Sequence, residues 1–233
     1  MSELFFYGPV GRIEGRLYKA SSNTEKVALV LHSHPLFGGS LNDPVVQTMK
    51  DALLENDYSV LAINSRGVGK SQGQFEDGVG ELTDAAAALD WLENHHPSAS
   101  NICVCGFSFG SFIAMQLTMR RPEVSHFISI SPPITKYDFS FFPRFPITGL
   151  VVQGTMDSVT EEEEVRKFFD PIVSNEDSNV QYVTVENGDH FMRGKLPELK
   201  NLIFEHLKNL QIHTSIVRDK NSSDKHLHKI LKS

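Results

Sequence analysis

The chain has 233 residues, which suits one large α/β domain, and its 40% hydrophobic and 22% charged content is near the average for soluble globular proteins. A net charge of −7 argues against nucleic acid or an anionic membrane as the main partner, because both favour a basic surface. No apolar run approaches the roughly 20 residues that span a bilayer, and the first residues lack the basic start and apolar core of a signal peptide. We therefore expect a cytoplasmic protein without a membrane span.

Strand-like and helix-like segments alternate along the whole chain. Residues 4–19 predict a β-hairpin, and apolar strands are predicted at 27–32, 58–63, 102–105, 125–130, 149–153 and 180–185. Helices are predicted between these strands and at the end, at 44–56, 79–94, 109–119, 161 onward and 197–210. Continuous apolar strands that alternate with helices indicate an α/β fold, with a mostly parallel central sheet flanked by helices on both faces.

Neither an internal repeat nor a long linker divides the chain, so we predict a single domain over residues 1–211. The segment 131–148 is too short to form a full lid domain. The tail 212–233 loses periodicity and is locally basic, and we expect it to be disordered or loosely packed. Cys103 and Cys105 lie two apart on a predicted strand, where a disulfide has poor geometry, so both are predicted to be reduced core thiols, as in the cytosol.

Gly106, Ser108 and Gly110 form a Gly-x-Ser-x-Gly motif between a predicted strand and a predicted helix. Such a turn exposes a nucleophilic serine, and small residues on either side let the strand and helix pass without a Cβ clash. The bare pattern should occur by chance in about one chain of this length in ten. The rest of the chain must therefore supply the other parts of a nucleophilic site.

A nucleophilic serine needs a histidine base, and the base needs a carboxylate that orients it. In enzymes with this turn the order along the chain is serine, acid, histidine. Asp157 follows the predicted strand 149–153, and His190 follows the predicted strand 180–185. Both lie past the carboxyl ends of strands, where open α/β sheets form their sites. The order and the placement predict a triad of Ser108, Asp157 and His190.

Other residues compete for these roles. Asp138 follows the preceding strand, and Asp189 adjoins the histidine, although adjacent residues rarely orient one another's rings. His190 alone among the ten histidines lies in the last strand-end loop downstream of the acid, and the alternative is that it is a solvated loop histidine. His32 and His34 lie on the same edge and are expected to be structural or to line the pocket.

The reaction also needs two backbone N–H groups directed at the developing oxyanion. Phe109, directly after the serine, should supply one. The loop after strand 27–32 should supply the other, and there Pro35 has no N–H, so Leu36 is the predicted donor, with Phe37 as the alternative. An apolar substrate pocket is predicted from nearby phenylalanines, several of which could equally belong to the core: Phe37, Phe107 and Phe141.

Two further patterns are interpreted as structural. The segment 67–71 looks like the end of a phosphate-binding loop, but the full pattern needs a glycine five residues before Gly69, where Asn64 stands. No helix pattern begins at Lys70 either, so no nucleotide site is expected. No metal site is expected, because His32 and its neighbours have no cysteine or histidine partners at zinc-binding spacing.

Five segments within residues 10–210 match a known family: HSHPLFGGSLND, INSRGVGKSQG, GFSFGS, QGTMD and GDHFMRGKL. On these segments the chain resembles the α/β-hydrolase superfamily, and within it the small serine hydrolases related to dienelactone hydrolases and small esterases. Dienelactone hydrolases use a cysteine nucleophile, whereas Ser108 resembles the serine members. The resemblance implies the same triad, the Leu36 and Phe109 donors, a structural loop at 66–69 and no cofactor. The chain departs from the family at 32–35, where many members have His-Gly, so the second donor stays open.

The predicted function is hydrolysis of a small-molecule carboxylic ester or thioester through an acyl-enzyme. An acyltransferase or a peptidase could use the same triad, and a non-catalytic binding protein could keep the same fold. Pocket shape and acceptor access decide among these activities, so the sequence leaves them open, together with the oligomeric state.

Overall fold

The computed structural model describes residues 2–22, 24–142 and 148–210. Its strands are β1 (Ser2–Gly8), β2 (Gly11–Tyr18), β3 (Lys26–Leu31), β4 (Ser59–Ile63), β5 (Asn101–Phe107), β6 (His126–Ile130), β7 (Thr148–Gly154) and β8 (Asn179–Val185). Its helices are α1 (Pro44–Glu55), α2 (Val79–His95), α3 (Phe109–Arg120), α4 (Glu162–Val173) and α5 (196–210). The predicted tail 212–233 lies outside the described residues.

One eight-stranded sheet runs through the molecule in the order β1-β2-β4-β3-β5-β6-β7-β8. The hairpin β1–β2 and the pair β2–β4 are antiparallel, and the remaining pairs are parallel. The predicted mostly parallel sheet is therefore confirmed. Because β3 to β8 run in one direction, their carboxyl ends meet at one edge of the sheet, where the predicted site residues were expected to lie.

Helices cover both faces of the sheet, and alternate residues of each strand pack into the two layers. On β3, Val27 and Leu29 join the cluster that holds residues of α2, α3 and α4. Ala28 and Val30 point the other way, into the cluster with residues of α1 and α5. The buried cysteines share this second cluster and form no disulfide.

The connection between β3 and α1 is fixed by local hydrogen bonds. The Asp43 carboxylate accepts the Val45 N–H at 2.9 Å, and Pro44 occupies the first helical position, as predicted for this helix start. The other Asp43 oxygen accepts the Ser33 hydroxyl at 3.1 Å. These bonds position the loop that follows β3 at the functional edge of the sheet.

The chain passes from β6 to β7 within residues 131–147, which leaves no room for a lid domain. Phe139 and Phe142 of this connection are buried. In the part of the chain that the structure describes, no helix is long and apolar enough to cross a bilayer. Over the described ranges, the connection 131–142 therefore adds no separate domain above the edge that carries the site.

Candidate active site

Ser108 lies at the junction of β5 and α3 in a strained conformation, with φ 53° and ψ −119°, a region that L-residues seldom occupy. Its N–H donates to the Ile130 carbonyl at 2.9 Å. A Cβ atom on Gly106 would lie 2.1 Å from the Gly110 carbonyl oxygen, and one on Gly110 would lie 2.4 Å from the His32 carbonyl oxygen. The turn that presents this serine therefore requires both glycines.

Ser108, His190 and Asp157 form a continuous hydrogen-bonded chain. His190 Nδ1 lies 2.8 Å from Asp157 Oδ2, and His190 Nε2 lies 2.9 Å from Ser108 Oγ. A carboxylate only accepts hydrogen bonds, so Nδ1 carries the ring proton and Nε2 is left to accept the serine hydroxyl. The arrangement can transfer a proton from the serine oxygen to the imidazole.

Asp157 accepts four hydrogen bonds. Oδ2 accepts His190 and the Gln153 amide, and Oδ1 accepts the N–H groups of Val159 and Thr160. Burial by itself would raise the pKa of this carboxyl, but the bond and charge of His190 and the two backbone N–H groups outweigh it, so the pKa is lowered. The acid is therefore held as a carboxylate.

Gln153 was not anticipated from any sequence motif. Its fully buried amide nitrogen at the end of β7 donates to Asp157 at 3.0 Å and to the Thr160 carbonyl at 2.9 Å. The sequence feature that could have pointed to Gln153 is its position as a polar residue at the end of the apolar strand GLVVQ. Gln153 links the acid to the turn that follows it.

The loop that carries His190 is anchored from β6. The Ser131 hydroxyl donates to the His190 carbonyl at 3.0 Å, and the Ser131 N–H donates to the Val152 carbonyl at 2.9 Å. Ser131 itself has a positive φ of 48°. One buried serine thus ties the histidine loop to the central strands.

The two competing acids lie elsewhere. Asp138 is exposed and accepts the Ser140 N–H at 2.8 Å. Asp189 accepts the Arg193 N–H and its guanidinium at 2.8 and 3.0 Å. The structure brings Asp157 to the His190 ring instead of either competitor.

His32 and His34 occupy different environments. Buried His32 accepts the Ser65 N–H at Nε2 and donates from Nδ1 to the Ser33 carbonyl, and burial lowers its pKa to about 4. It is therefore a neutral tie between the ends of β3 and β4. His34 accepts the Leu36 N–H at Nδ1, at 3.2 Å, and borders the cavity described next.

A cavity of about 440 Å³ opens beside Ser108 and His190. Much of its wall is aromatic, and a single lysine joins that wall: Phe37, Phe109, Lys136, Tyr137 and Phe191. Both the serine and the histidine border this space. A substrate carbonyl held there would meet both reacting groups.

Three predicted positions need correction. The Leu36 N–H already has an acceptor in His34, and its side chain is 68% exposed and outside the cavity wall. Phe107 is fully buried, with its ring 5.5 Å from that of His190. Phe141 packs on Phe112 and Phe139. Of the predicted pocket residues, Phe37 alone belongs to the described wall.

The segment 67–71 and its neighbours are held by hydrogen bonds to other parts of the protein. The Lys70 N–H and the Asn64 amide both donate to the buried Glu14 carboxylate. The adjacent Arg66 makes two hydrogen bonds with the buried Asp84 carboxylate, at 2.7 and 2.8 Å. Within the described ranges, no three His, Cys, Asp or Glu side chains are grouped so that they could hold a metal ion.

Comparison with known proteins identifies the family to which the chain belongs. The family model described as X-Pro dipeptidyl-peptidase (S15 family) matches residues 12–164. An uncharacterized protein of Rickettsia prowazekii is 46% identical over 97% of this chain and 99% of its own length. The chain therefore belongs to the S15 family, within the α/β-hydrolase superfamily.

Solved structures extend the likeness to the whole fold. A protein of unknown function from Agrobacterium tumefaciens, provisionally classed as an α/β hydrolase, is 37% identical with a TM-score of 0.87, over 91% of this chain and 97% of that one. A lidless α/β serine hydrolase from Xanthomonas campestris is 27% identical with a TM-score of 0.82, over 90% and 94% of the two chains. The protein thus has a small, lidless serine-hydrolase fold.

Proposed function

We propose that this protein hydrolyses carboxylic esters or thioesters through an acyl-enzyme formed on Ser108. The observation that carries the proposal is the hydrogen-bonded chain from Ser108 through His190 to Asp157, which ends at a cavity bordered by the serine and the histidine. Each of the three residues follows the carboxyl end of a strand of one sheet, so the three side chains are in position before substrate binds.

The two half-reactions follow from this geometry. Ser108 Oγ attacks the acyl carbon while His190 Nε2 accepts its proton, and Asp157 stabilises the resulting imidazolium. His190 then returns the proton to the leaving alcohol or thiol, which departs and leaves an ester on Ser108. Water, deprotonated by the same Nε2, attacks this ester. His190 then gives the proton to Ser108 Oγ, so the carboxylic acid product is released and the free serine is regenerated.

Two backbone N–H groups are proposed as the oxyanion site. The Phe109 N–H opens α3, and the first N–H groups of a helix have no acceptor within it. For the second donor we assign the His34 N–H, because His34 borders the cavity whereas the Leu36 N–H is used by the His34 ring. Both groups are fixed by backbone that adjoins Ser108 or β3, so they require no rearrangement during the reaction.

A second candidate is suggested by the family match to X-Pro dipeptidyl-peptidases. An enzyme that removes dipeptides must hold a free α-ammonium group, for which a carboxylate is the usual partner. The described cavity wall contains Lys136 and no Asp or Glu. A positive side chain repels an ammonium group, so this wall favours esters over amino-terminal dipeptides.

Ester and peptide hydrolysis are separated by one assay series. The purified full chain should hydrolyse p-nitrophenyl acetate and butyrate, and Ser108→Ala should lower kcat by about 10³-fold or more. Ser140→Ala, at an exposed position, is the matched control and should keep full activity. Faster release of p-nitroaniline from Gly-Pro-p-nitroanilide than of p-nitrophenol from the esters would favour the peptidase. Absence of both activities would contradict catalysis.

A further inference from the structure

We propose that Lys136 selects substrates that carry an anionic group, such as a carboxylate, in addition to the ester that reacts. The inference rests on the proposed function, because it specifies which esters the site prefers. Lys136 borders the same cavity as Ser108 and His190. A molecule bound for attack by the serine therefore lies within the same space as this ammonium group.

The Lys136 side chain has no carboxylate partner among the described residues. Other cations of the surface do have one, such as Lys200 with Glu55 at 2.6 Å and Arg193 with Asp189 at 3.0 Å. Lys136 is exposed and borders the cavity without such an ion pair. Its charge is therefore available to a bound ligand.

The neighbouring acids are used by other groups. Glu81 accepts the N–H groups of Glu76 and Gly78 at 3.0 and 2.8 Å, and Asp138 accepts that of Ser140. Burial and then the charges of Asp77 and Glu81 raise the pKa of Tyr137, and the same two charges partly offset the lowering of the His34 pKa by burial. None of these acids belongs to the described cavity wall, so within that wall a ligand carboxylate meets the Lys136 ammonium and no carboxylate.

The remainder of the wall fits an apolar body. Phe37 is 86% exposed and Phe191 is 42% exposed, although both rings border the cavity. Exposed aromatic rings at the mouth of a site gain from contact with an apolar ligand. A charge pair beside such rings is less screened than one in open water. The wall thus suits an ester with an apolar chain or ring and one anionic end.

Matched ester pairs test this preference. On the acyl side, the mono-p-nitrophenyl ester of adipic acid is compared with p-nitrophenyl hexanoate, and on the alcohol side 4-acetoxybenzoate is compared with 4-methylphenyl acetate. In at least one pair the anionic ester should have the higher kcat/KM, and Lys136→Met should reduce the ratio of the anionic to the neutral kcat/KM about two- to fivefold. The neutral ester should change less than about twofold, and Lys136→Glu should invert the preference.

Two controls separate charge from shape. Lys167→Met removes an exposed lysine of α4 that lies outside the cavity wall, and it should leave both ratios unchanged. Raising the salt concentration from 0.05 to 0.5 M should weaken the preference in the native protein, because ions screen an accessible charge pair. The pair of esters that responds identifies whether the acyl or the alcohol side carries the anion.

The outcomes distinguish this inference from the proposed function. Ser108-dependent hydrolysis with ratios that do not change in Lys136→Met would overturn the role of Lys136 and leave the esterase proposal intact. If no ester is hydrolysed, calorimetry measures the affinity of the Ser108→Ala protein for 6-phenylhexanoate and for its neutral counterpart 6-phenylhexanol. Tighter binding of the carboxylate, lost in the double variant Ser108→Ala/Lys136→Met, supports the role of Lys136. Equal affinities for the two compounds overturn it.

Discussion

The Gln153 amide lies 3.0 Å from the Asp157 carboxylate oxygen that also accepts the His190 ring at 2.8 Å. The amide donates at the same time to the Thr160 carbonyl. Gln153 therefore fixes the orientation of the acid and favours its charged form, without a contact to the serine. This makes it a positioning residue for the proposed reaction.

Removing the Gln153 amide should make the orientation of the Asp157 carboxylate less fixed. Gln153→Leu leaves Asp157 with one hydrogen bond fewer, so its pKa should rise and kcat should fall about three- to tenfold with little change in KM. The separation of the effect on kcat from the effect on KM is the readout, because the acid orients the base and does not touch the substrate. Gln116→Leu, on α3 outside this network, is the control. A native kcat in Gln153→Leu, or a fall in kcat matched by a rise in KM, would show that Gln153 has only a packing role.

The identity of the acid is tested by two matched variants. Asp157→Asn removes the charge that stabilises the imidazolium and should reduce kcat by about 10⁴-fold. Asp138→Asn alters an exposed carboxylate bound to its own turn and should stay within about twofold of the native rate. A larger loss in Asp138→Asn than in Asp157→Asn would reassign the acid.

The two glycines of the serine turn should not tolerate a methyl group. A Cβ atom would lie 2.1 Å from backbone at Gly106 and 2.4 Å at Gly110, so each change to alanine should cost at least about 3 kcal/mol of unfolding free energy or prevent folding. Gly38→Ala is the control, since its φ is +86° but nothing lies within 4 Å of the added atom. It should cost about 1 kcal/mol. Urea unfolding that ranks Gly38→Ala as the most damaging would contradict the close approach.

Stability should fall in acid because three histidines are buried as neutral rings, one of them His32, whose pKa burial lowers to about 4. Burial lowers the pKa of His206 to about 4 and that of His126 to about 3. Between these values and the ordinary pKa of about 6.5, the unfolded chain binds more protons than the folded one. Stability therefore rises with pH across this window, and each histidine accounts for a loss of about 2 kcal/mol between pH 7 and pH 5.

A variant isolates one of these rings. His206 contacts the Gln181 side chain at 2.9 Å, and His206→Gln keeps a similar volume without a titrating group. Urea unfolding of the variant should show a smaller difference between pH 7 and pH 5 than the native protein. An equal difference in both proteins would contradict the contribution of this histidine.

Much of the fold could be predicted from local patterns. Apolar strands of five to eight residues, alternating with helices, specify a parallel sheet, and the Asp43-Pro44 start of α1 has the expected capping bond. The strand-end positions of Ser108, Asp157 and His190 follow from the same pattern, because parallel strands bring their carboxyl ends together. Topology therefore predicted that the strand-end loops would meet, and the Gly-x-Ser-x-Gly motif with the order serine, acid, histidine selected these three.

The details that sequence did not predict depend on loop conformation and burial. In the loop after β3, the Leu36 N–H donates to His34 Nδ1 and is therefore not free. This hydrogen bond depends on the conformation of the loop and could not be predicted from the residue types. Gln153 has the appearance of an ordinary strand end until its partners are known. The burial of Phe107 could have been predicted, since Phe107 lies on the same face of its strand as Cys103 and Cys105, which were predicted to be in the core.

The most direct test identifies the residue that acts as the nucleophile. The purified protein is treated with a fluorophosphonate, and the modified residue is identified by mass spectrometry of its peptides, with Ser108→Ala in parallel. We expect a single adduct on Ser108 that is absent from the variant and strongly reduced in His190→Ala, which keeps the serine but lacks its base. An adduct on another residue, or no adduct in a folded protein, would contradict the proposed role of Ser108.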